Sequence, residues 1–213
     1  MATLSELKAR VLRLLADVGT TYSEDLIFDG VRAALEEILP WVPKQSVSVL
    51  TGDGSKVEFD LPADLYRVIA VYDEDTGLYL PAASMSALDA PGQDIDANQD
   101  WIEFPEGKIS FAKPLADSLT ATLFYAATWT VPAAGASTIE APLWIHRSLC
   151  LYTCSYVLFA TATSMARINQ WDVKSVDAGT PDMNPVKDMS NFFYERFLQS
   201  MKLVPARMRG SRG

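Results

Sequence analysis

PLWIHRSLCLYTCSYVLFATATSMARIN, residues 142–169, decides how this chain is read. Between Arg147 and Arg167 it runs nineteen residues, 148–166, without a formal charge. Trp144, Ser148, Leu151, Ser155, Leu158, Ala162 and Met165 step by four and three, and so do Ile145, Leu149, Tyr152, Tyr156, Phe159, Thr163 and Ala166. Two adjacent stripes on one helix predict burial on most sides, so the segment is read as a central helix. Pro142 suits its first helical position. Each large side chain buried there contributes roughly 1.5–3 kcal/mol, which makes a charge at Leu151 or Leu158 one of the worst substitutions expected. The length is near the roughly 20 residues of a membrane span. Six of the nineteen are Ser or Thr, however, and no Lys/Arg cluster flanks them; a buried helix in a soluble protein fits better than a span.

Upstream, Thr3 and Glu6 have the spacing of a capping box. Leu4, Leu7, Val11, Leu14 and Val18 form one apolar face, and Gly19 is placed to end the helix. Ser23 is a second N-cap, with Glu24 and Asp25 in the first turn. Ile27, Val31, Ala34 and Ile38 are the buried stripe of that helix, and Pro40 stops it. The short connection predicts an antiparallel helical pair.

At Ser46 the apolar period drops from 3.6 to 2. Val47 and Val49, then Val57, Phe59 and Leu61, alternate with polar residues on either side of Gly52-Asp53-Gly54, which predicts a hairpin. Residues 66–72, YRVIAVY, are apolar on both faces and predict a central strand. A turn over 73–77 leads to a strand at 78–80. Residues 84–90 are read as a short helix and 92–100 as an acidic loop. Residues 101–104 and 108–111 form another hairpin, 119–126 a strand, and 127–141 a Pro/Ala/Gly stretch leaving the sheet.

Downstream of the central helix, 170–184 reads as a loop, and Asn184 can cap a last helix whose apolar face is Met189, Phe192, Phe193, Phe197 and Met201. The expected class is α+β and mainly helical: a helical bundle of two N-terminal and two C-terminal helices, with an inserted antiparallel β region and an extended C-terminal tail. The expected domains are 1–45 with 141–202 as the bundle, 46–126 as the insert, 127–140 as a linker and 203–213 as the tail.

The net charge of −9 argues against a surface that grips nucleic acid phosphates. Residues 185–213 carry a net +4, leaving −13 on the rest, so the basic tail suits an acidic or polar partner. Cys150 and Cys154, one helical turn apart, are no secreted disulfide framework, and MATLSELKAR has no apolar signal region. A reducing, cytosolic setting is expected.

No catalytic constellation stands out. His146, the only histidine, has i, i+4, i+8 spacing with Cys150 and Cys154. A straight helix rotates such positions about 40° apart per step, so the three cannot readily converge on one ion, and buried thiols are the better reading. His146 also lacks the partners of a Ser-His-Asp or Cys-His site. Asp94, Asp96, Asn98 and Asp100 imitate the start of a calcium loop, but Gln99 stands where Gly is needed and Pro105 where Glu is needed. Gly52-Asp53-Gly54 lacks the Gly-Lys-Ser/Thr ending of a phosphate loop. No spacing singles out a glycosidase carboxylate pair. No enzyme activity and no cofactor are expected.

The order of parts resembles the head-to-tail adaptors of tailed bacteriophages, also called connectors or head-completion proteins. A helical pair, a protruding β region, a long helix, a final helix and a tail follow one another. Residues 57–71, VEFDLPADLYRVIAV, support it locally: one strand ends in Leu61-Pro62-Ala63-Asp64 and an apolar strand follows. The β region is large for a minimal four-helix adaptor. The resemblance implies a virion structural protein of the neck, assembled in the host cytoplasm into a homo-oligomeric ring, usually of twelve copies. Such a ring docks under the portal protein, extends a channel through which DNA passes without specific binding, and offers a platform to a tail, tail-terminator or nozzle protein. It implies that Leu203, Arg207, Arg209 and Arg212 of the tail reach the portal. Arg147 and Arg167 are expected near a subunit interface. The alternatives are a carbohydrate- or protein-binding β domain using exposed Trp101 and Trp129, or a hydrolase with an unrecognised carboxylate pair. No membrane partner is expected.

Overall fold

The computed structural model describes residues 2–17, 21–82, 101–104, 107–111, 113–133, 135–172 and 185–204, with the backbone alone for 102–104 and 164–172. The chain divides into two compact units, Met1–Val42 with Trp129–Gly213, and Pro43–Thr128. Each has its own apolar core.

The first unit is helical. Helix α1 (Leu4–Leu14) starts at the expected capping box: Thr3 Oγ1 accepts the Glu6 amide at 3.2 Å and Glu6 Oε2 accepts the Thr3 amide at 2.9 Å. Helix α2 (Glu24–Glu37) starts at Ser23, whose hydroxyl accepts the Leu26 amide, and Ile27, Val31, Ala34 and Ile38 are fully buried. Helix α3 (His146–Asp172) packs against α1, α2 and the last helix, α4 (Pro185–Lys202), and is the centre of the unit. Pro142 is not in its first helical position. It caps a 3₁₀ turn, Leu143–Ile145, that leads into α3.

The hydroxyls of α3 explain how so polar a helix is buried. Thr153, Thr161 and Thr163 donate to carbonyls four residues back, at 2.8–2.9 Å. Ser148 and Ser155 meet α4 instead. Ser190 Oγ donates to the Ser155 carbonyl and Ser200 Oγ to the Phe197 carbonyl, so Ser155 and Ser148 are the donors in the serine pairs at 3.2 and 2.8 Å. Small side chains with paired hydroxyls let the two helices approach without an orphan polar group.

Only one of the two stripes expected on α3 is covered. Ser148, Leu151, Ser155, Leu158 and Ala162 are buried, whereas Trp144 is exposed at its start. In the second stripe Ile145 and Leu149 are buried, but Tyr156 and Phe159 face solvent, Phe159 at 62%. Cys150, Cys154 and Val157 are buried in their place. The wheel position alone does not say where a neighbouring helix lies.

The stretch 129–141 runs beside the N-terminus. The Leu4 and Ser5 amides donate to the Ser137 and Gly135 carbonyls at 3.0 Å, Ile139 N–H donates to the Ala2 carbonyl, and Ile139 is fully buried.

Among the described residues the second unit has seven strands: β1 (Lys44–Thr51), β2 (Glu58–Asp60), β3 (Leu65–Asp73), β4 (Leu78–Leu80), β5 (Trp101–Phe104), β6 (Lys108–Phe111) and β7 (Thr120–Ala127). They form a four-stranded sheet, β1-β7-β3-β4, and a three-stranded sheet, β2-β6-β5, all antiparallel. The β5–β6 hairpin is as expected. The one expected around Gly52-Asp53-Gly54 does not exist: β1 pairs with β7 and β2 with β6, so this turn carries the chain from one sheet to the other. Alternation marks strands but not their partners. Strand β3 is central in its ladder, yet Tyr66 and Ile69 are exposed.

The Leu61-Pro62-Ala63-Asp64 corner ties these strands together. Leu65 N–H donates to the Pro62 carbonyl, Thr128 N–H to the Asp64 carbonyl, and Tyr125 Oη to Asp64 Oδ1 at 3.1 Å.

Leu50, Phe59, Val71, Ile109, Leu115 and Leu123 bury a core made only by this unit. The chain is therefore α+β, with four α-helices and antiparallel sheet among the described residues, and not the mainly helical bundle expected, because the strands are a packed second body in their own right.

Candidate functional site

The histidine and the two cysteines of α3 have structural surroundings. His146 is fully buried, and its Nε2 lies 2.8 Å from the Ala141 carbonyl, which it can reach only as a donor. Burial, with Arg10 adding to it, pushes its pKa below the ordinary histidine value of 6.5. The ring is neutral in the folded chain and serves to pin the start of α3 to the preceding loop.

A pH dependence follows. The unfolded chain takes up this proton near pH 6.5, the folded chain only at lower pH. Stability from this site is therefore complete above pH 6.5 and declines as pH falls below it, at up to about 1.4 kcal/mol per pH unit for one proton. Urea melts of wild type and His146→Gln at several pH values test this. The wild type should lose midpoint on acidification through this window, and the variant should lose less. Equal slopes would remove His146 as the cause.

Cys150 and Cys154 are free and buried. Burial pushes the Cys150 thiol up to about 11 and the Cys154 thiol higher still, so both are inert, small apolar groups. Among the described residues no group of three His, Cys, Asp or Glu could hold a metal ion. The calcium-like residues Asp94, Asp96, Asn98 and Asp100 lie outside the described residues. Gly52-Asp53-Gly54 is a turn in which Asp53 Oδ1 accepts the Ser55 and Lys56 amides, which lowers the pKa of its carboxyl.

Trp101 and Trp129 are not exposed on one sheet face. Trp101 is buried in the second unit and donates to the Leu80 carbonyl; Trp129 packs in the helical core and donates to the Val42 carbonyl. The stacking platform of a sugar-binding sheet is absent at these two positions. The four-stranded sheet does leave other apolar groups open. Val47, Val49 and Tyr79 are all more than half exposed, and Tyr79 contacts Tyr72 and Phe124.

The residues expected at interfaces divide. Arg207, Arg209 and Arg212 lie outside the described residues, and Arg167 is on α3 with only its backbone described. Leu203 and Arg147 are exposed, and they line the same groove. Its walls come from the 3₁₀ turn (Trp144), the first turns of α3 (Arg147, Leu151), α4 (Phe192, Phe193, Arg196), the residues just after it (Leu203, Val204) and the end of α1 (Leu14). Leu14, expected inside the core, is 46% exposed.

The groove combines an apolar floor with two cations. Leu151, Phe193 and Val204 are buried beneath exposed Trp144 and Phe192. The Arg196 guanidinium sits 5.3 Å from the Phe192 ring centroid. No carboxylate lines the groove, and neither Arg147 nor Arg196 has an ion pair among the described residues. No His, Cys, Asp or Glu lines the groove, and its polar lining beyond the two arginines is Ser148, Gln199 and Ser200. Arg147 and Leu203 are singled out in the sequence separately, whereas the charge of Arg196 is unremarkable until folding brings it to the groove that Arg147 lines.

Comparison with known families matches residues 2–178 to the SU10 adaptor protein family. No curated protein matches the chain. With most of its length covered, the chain belongs to the SU10 adaptor protein family, a phage structural family of the adaptor type and not a known enzyme family.

Proposed function

From that membership we propose that this phage adaptor is a head-to-tail adaptor of the virion neck. Copies of the chain assemble into a ring that docks under the portal, extends the DNA channel and presents a platform to the tail. The family match over residues 2–178 carries this reading. Three features support it. The acidic body, net −13 outside residues 185–213, repels DNA and so suits a wall along which DNA slides. The basic stretch containing Arg207, Arg209 and Arg212 follows directly in the sequence from Leu203 and Val204, which line the cationic groove. No described helix is long and apolar enough to cross a membrane.

The roles of Leu203, Arg207, Arg209 and Arg212 at the portal belong to this proposal. Native mass measurement of the chain mixed with purified portal protein tests it. A complex of many adaptor copies per portal ring is expected, and deletion of residues 205–213 should weaken it by at least about tenfold, as loss of several charge-assisted contacts does. A chain that never associates with portal, or a deletion that binds equally well, would sink the docking role.

A further inference from the structure

We infer that the cationic groove at the α1, α3 and α4 ends receives the acidic end of α2 from a second copy of this chain. The inference rests on the ring-forming reading above and names the two faces that would meet.

Helix α2 has five carboxylates, Glu24, Asp25, Asp29, Glu36 and Glu37, against one cation, Arg32. Glu24 is paired with Lys8 and Asp29 with Arg32. Glu36 and Glu37 have no ion pair among the described residues, and they stand in the last turn of the helix with no basic residue there. That is the wrong end of the helix dipole for a negative charge. Two carboxylates kept in a locally unfavourable place, beside exposed Pro40, make an acidic and partly apolar surface. The groove offers what that surface lacks: Arg147 and Arg196 for the carboxylates, Trp144 and Phe192 for apolar contact.

Within one chain no ion pair joins the two faces among the described residues. On α3, Leu151 lines the groove, while Thr153 meets α2, where a Cβ on Gly30 would lie 3.0 Å from Thr153 Cγ2. Two positions along a helix are about 200° apart, so the groove and the Gly30 stretch of α2 lie on opposite sides of α3. Complementary patches on opposite sides of one body give a heterologous contact, which passes from copy to copy and closes into a ring when the rotation permits. The chain's own tail is a poor occupant. Residues 205–213 carry three arginines and no acidic side chain, so Arg147 and Arg196 repel them.

The test uses two charge reversals in the full chain, Arg147→Glu with Arg196→Glu, and Glu36→Lys with Glu37→Lys. The second set places cations at a helix C-terminus, which favours folding. Circular dichroism checks that both sets are folded, and Arg147→Gln with Arg196→Gln gives a milder version of the first. Mass photometry reads the assembly. Wild type should assemble, each reversal alone should need about tenfold or more higher concentration, and an equimolar mixture of the two should assemble again in alternating copies. A folded reversal that assembles like wild type, or a mixture that stays apart, overturns the groove-to-α2 contact and leaves ring formation standing. A wild type that stays monomeric, even with portal present, overturns the ring reading itself.

Discussion

Leu158→Asp is expected to unfold the helical unit, and Phe159→Asp, one residue later, is expected to leave it standing. Leu158 is 6% exposed in the core that joins α3 to its neighbours, whereas Phe159 is 62% exposed. The first change buries a carboxylate where no cation can be brought to it, a penalty above about 4 kcal/mol. A domain stability of about 5–15 kcal/mol leaves little or nothing after that loss. The second change exchanges one solvated side chain for another and should cost under about 0.5 kcal/mol. Urea melts followed by the helical dichroism signal separate the two. Equal midpoints for both variants would mean that α3 is not oriented as described.

Gly52→Val should be as damaging to the sheet unit, for a reason of space and not of charge. A Cβ at Gly52 would lie 2.6 Å from both the Cβ and the carbonyl oxygen of Leu115, and closer still to the Ala116 carbonyl. Nothing can give way easily. Gly52 N–H donates to the Leu119 carbonyl at 2.8 Å, Ser118 N–H to the Gly52 carbonyl at 3.2 Å, and Gly54 N–H to the Leu115 carbonyl at 3.0 Å. The two backbones are laced together where the chain changes sheets, and fully buried Leu115 anchors the contact. Overpacking against backbone costs about 3 kcal/mol or more here. Gly107 is the useful contrast. It has φ +77 and nothing within 4 Å, so Gly107→Asn should cost less than about 1 kcal/mol, since Asn tolerates this conformation in open space. Hydrogen exchange over β1 and β7 reads the difference. Unchanged protection in Gly52→Val would show that the turn is not docked on residues 115–119.

Much of the fold is legible in the order of residues, because the relevant signals are local. A cap acts on an amide three residues away, as at Thr3–Glu6 and Ser23–Leu26. A buried stripe is written into one helix, as at Ile27, Val31, Ala34 and Ile38. The apolar setting expected for Cys150 and Cys154 is legible too: both are buried, and His146 beside them is held by the Ala141 carbonyl.

What the residue order does not disclose depends on partners far along the chain. Val47–Val49 and Val57–Leu61 show equally good alternation whether they pair with each other or, as found, with β7 and β6 or neither. The two stripes of α3 are comparably apolar, but only the positions of α1, α2 and α4 decide that Leu158 is covered and Phe159 is not. Arg147 and Arg196 are separated by most of α3 and all that lies before α4, so no spacing rule joins them into a site. The residue order thus sets the kinds of element, their succession, their caps and the character of each face. Tertiary structure alone decided the strand pairing, the open stripe of α3 and the cationic groove. Hydrogen bonding and periodicity within an element act over a few residues, whereas burial and charge convergence are properties of surfaces that exist only once distant segments have packed.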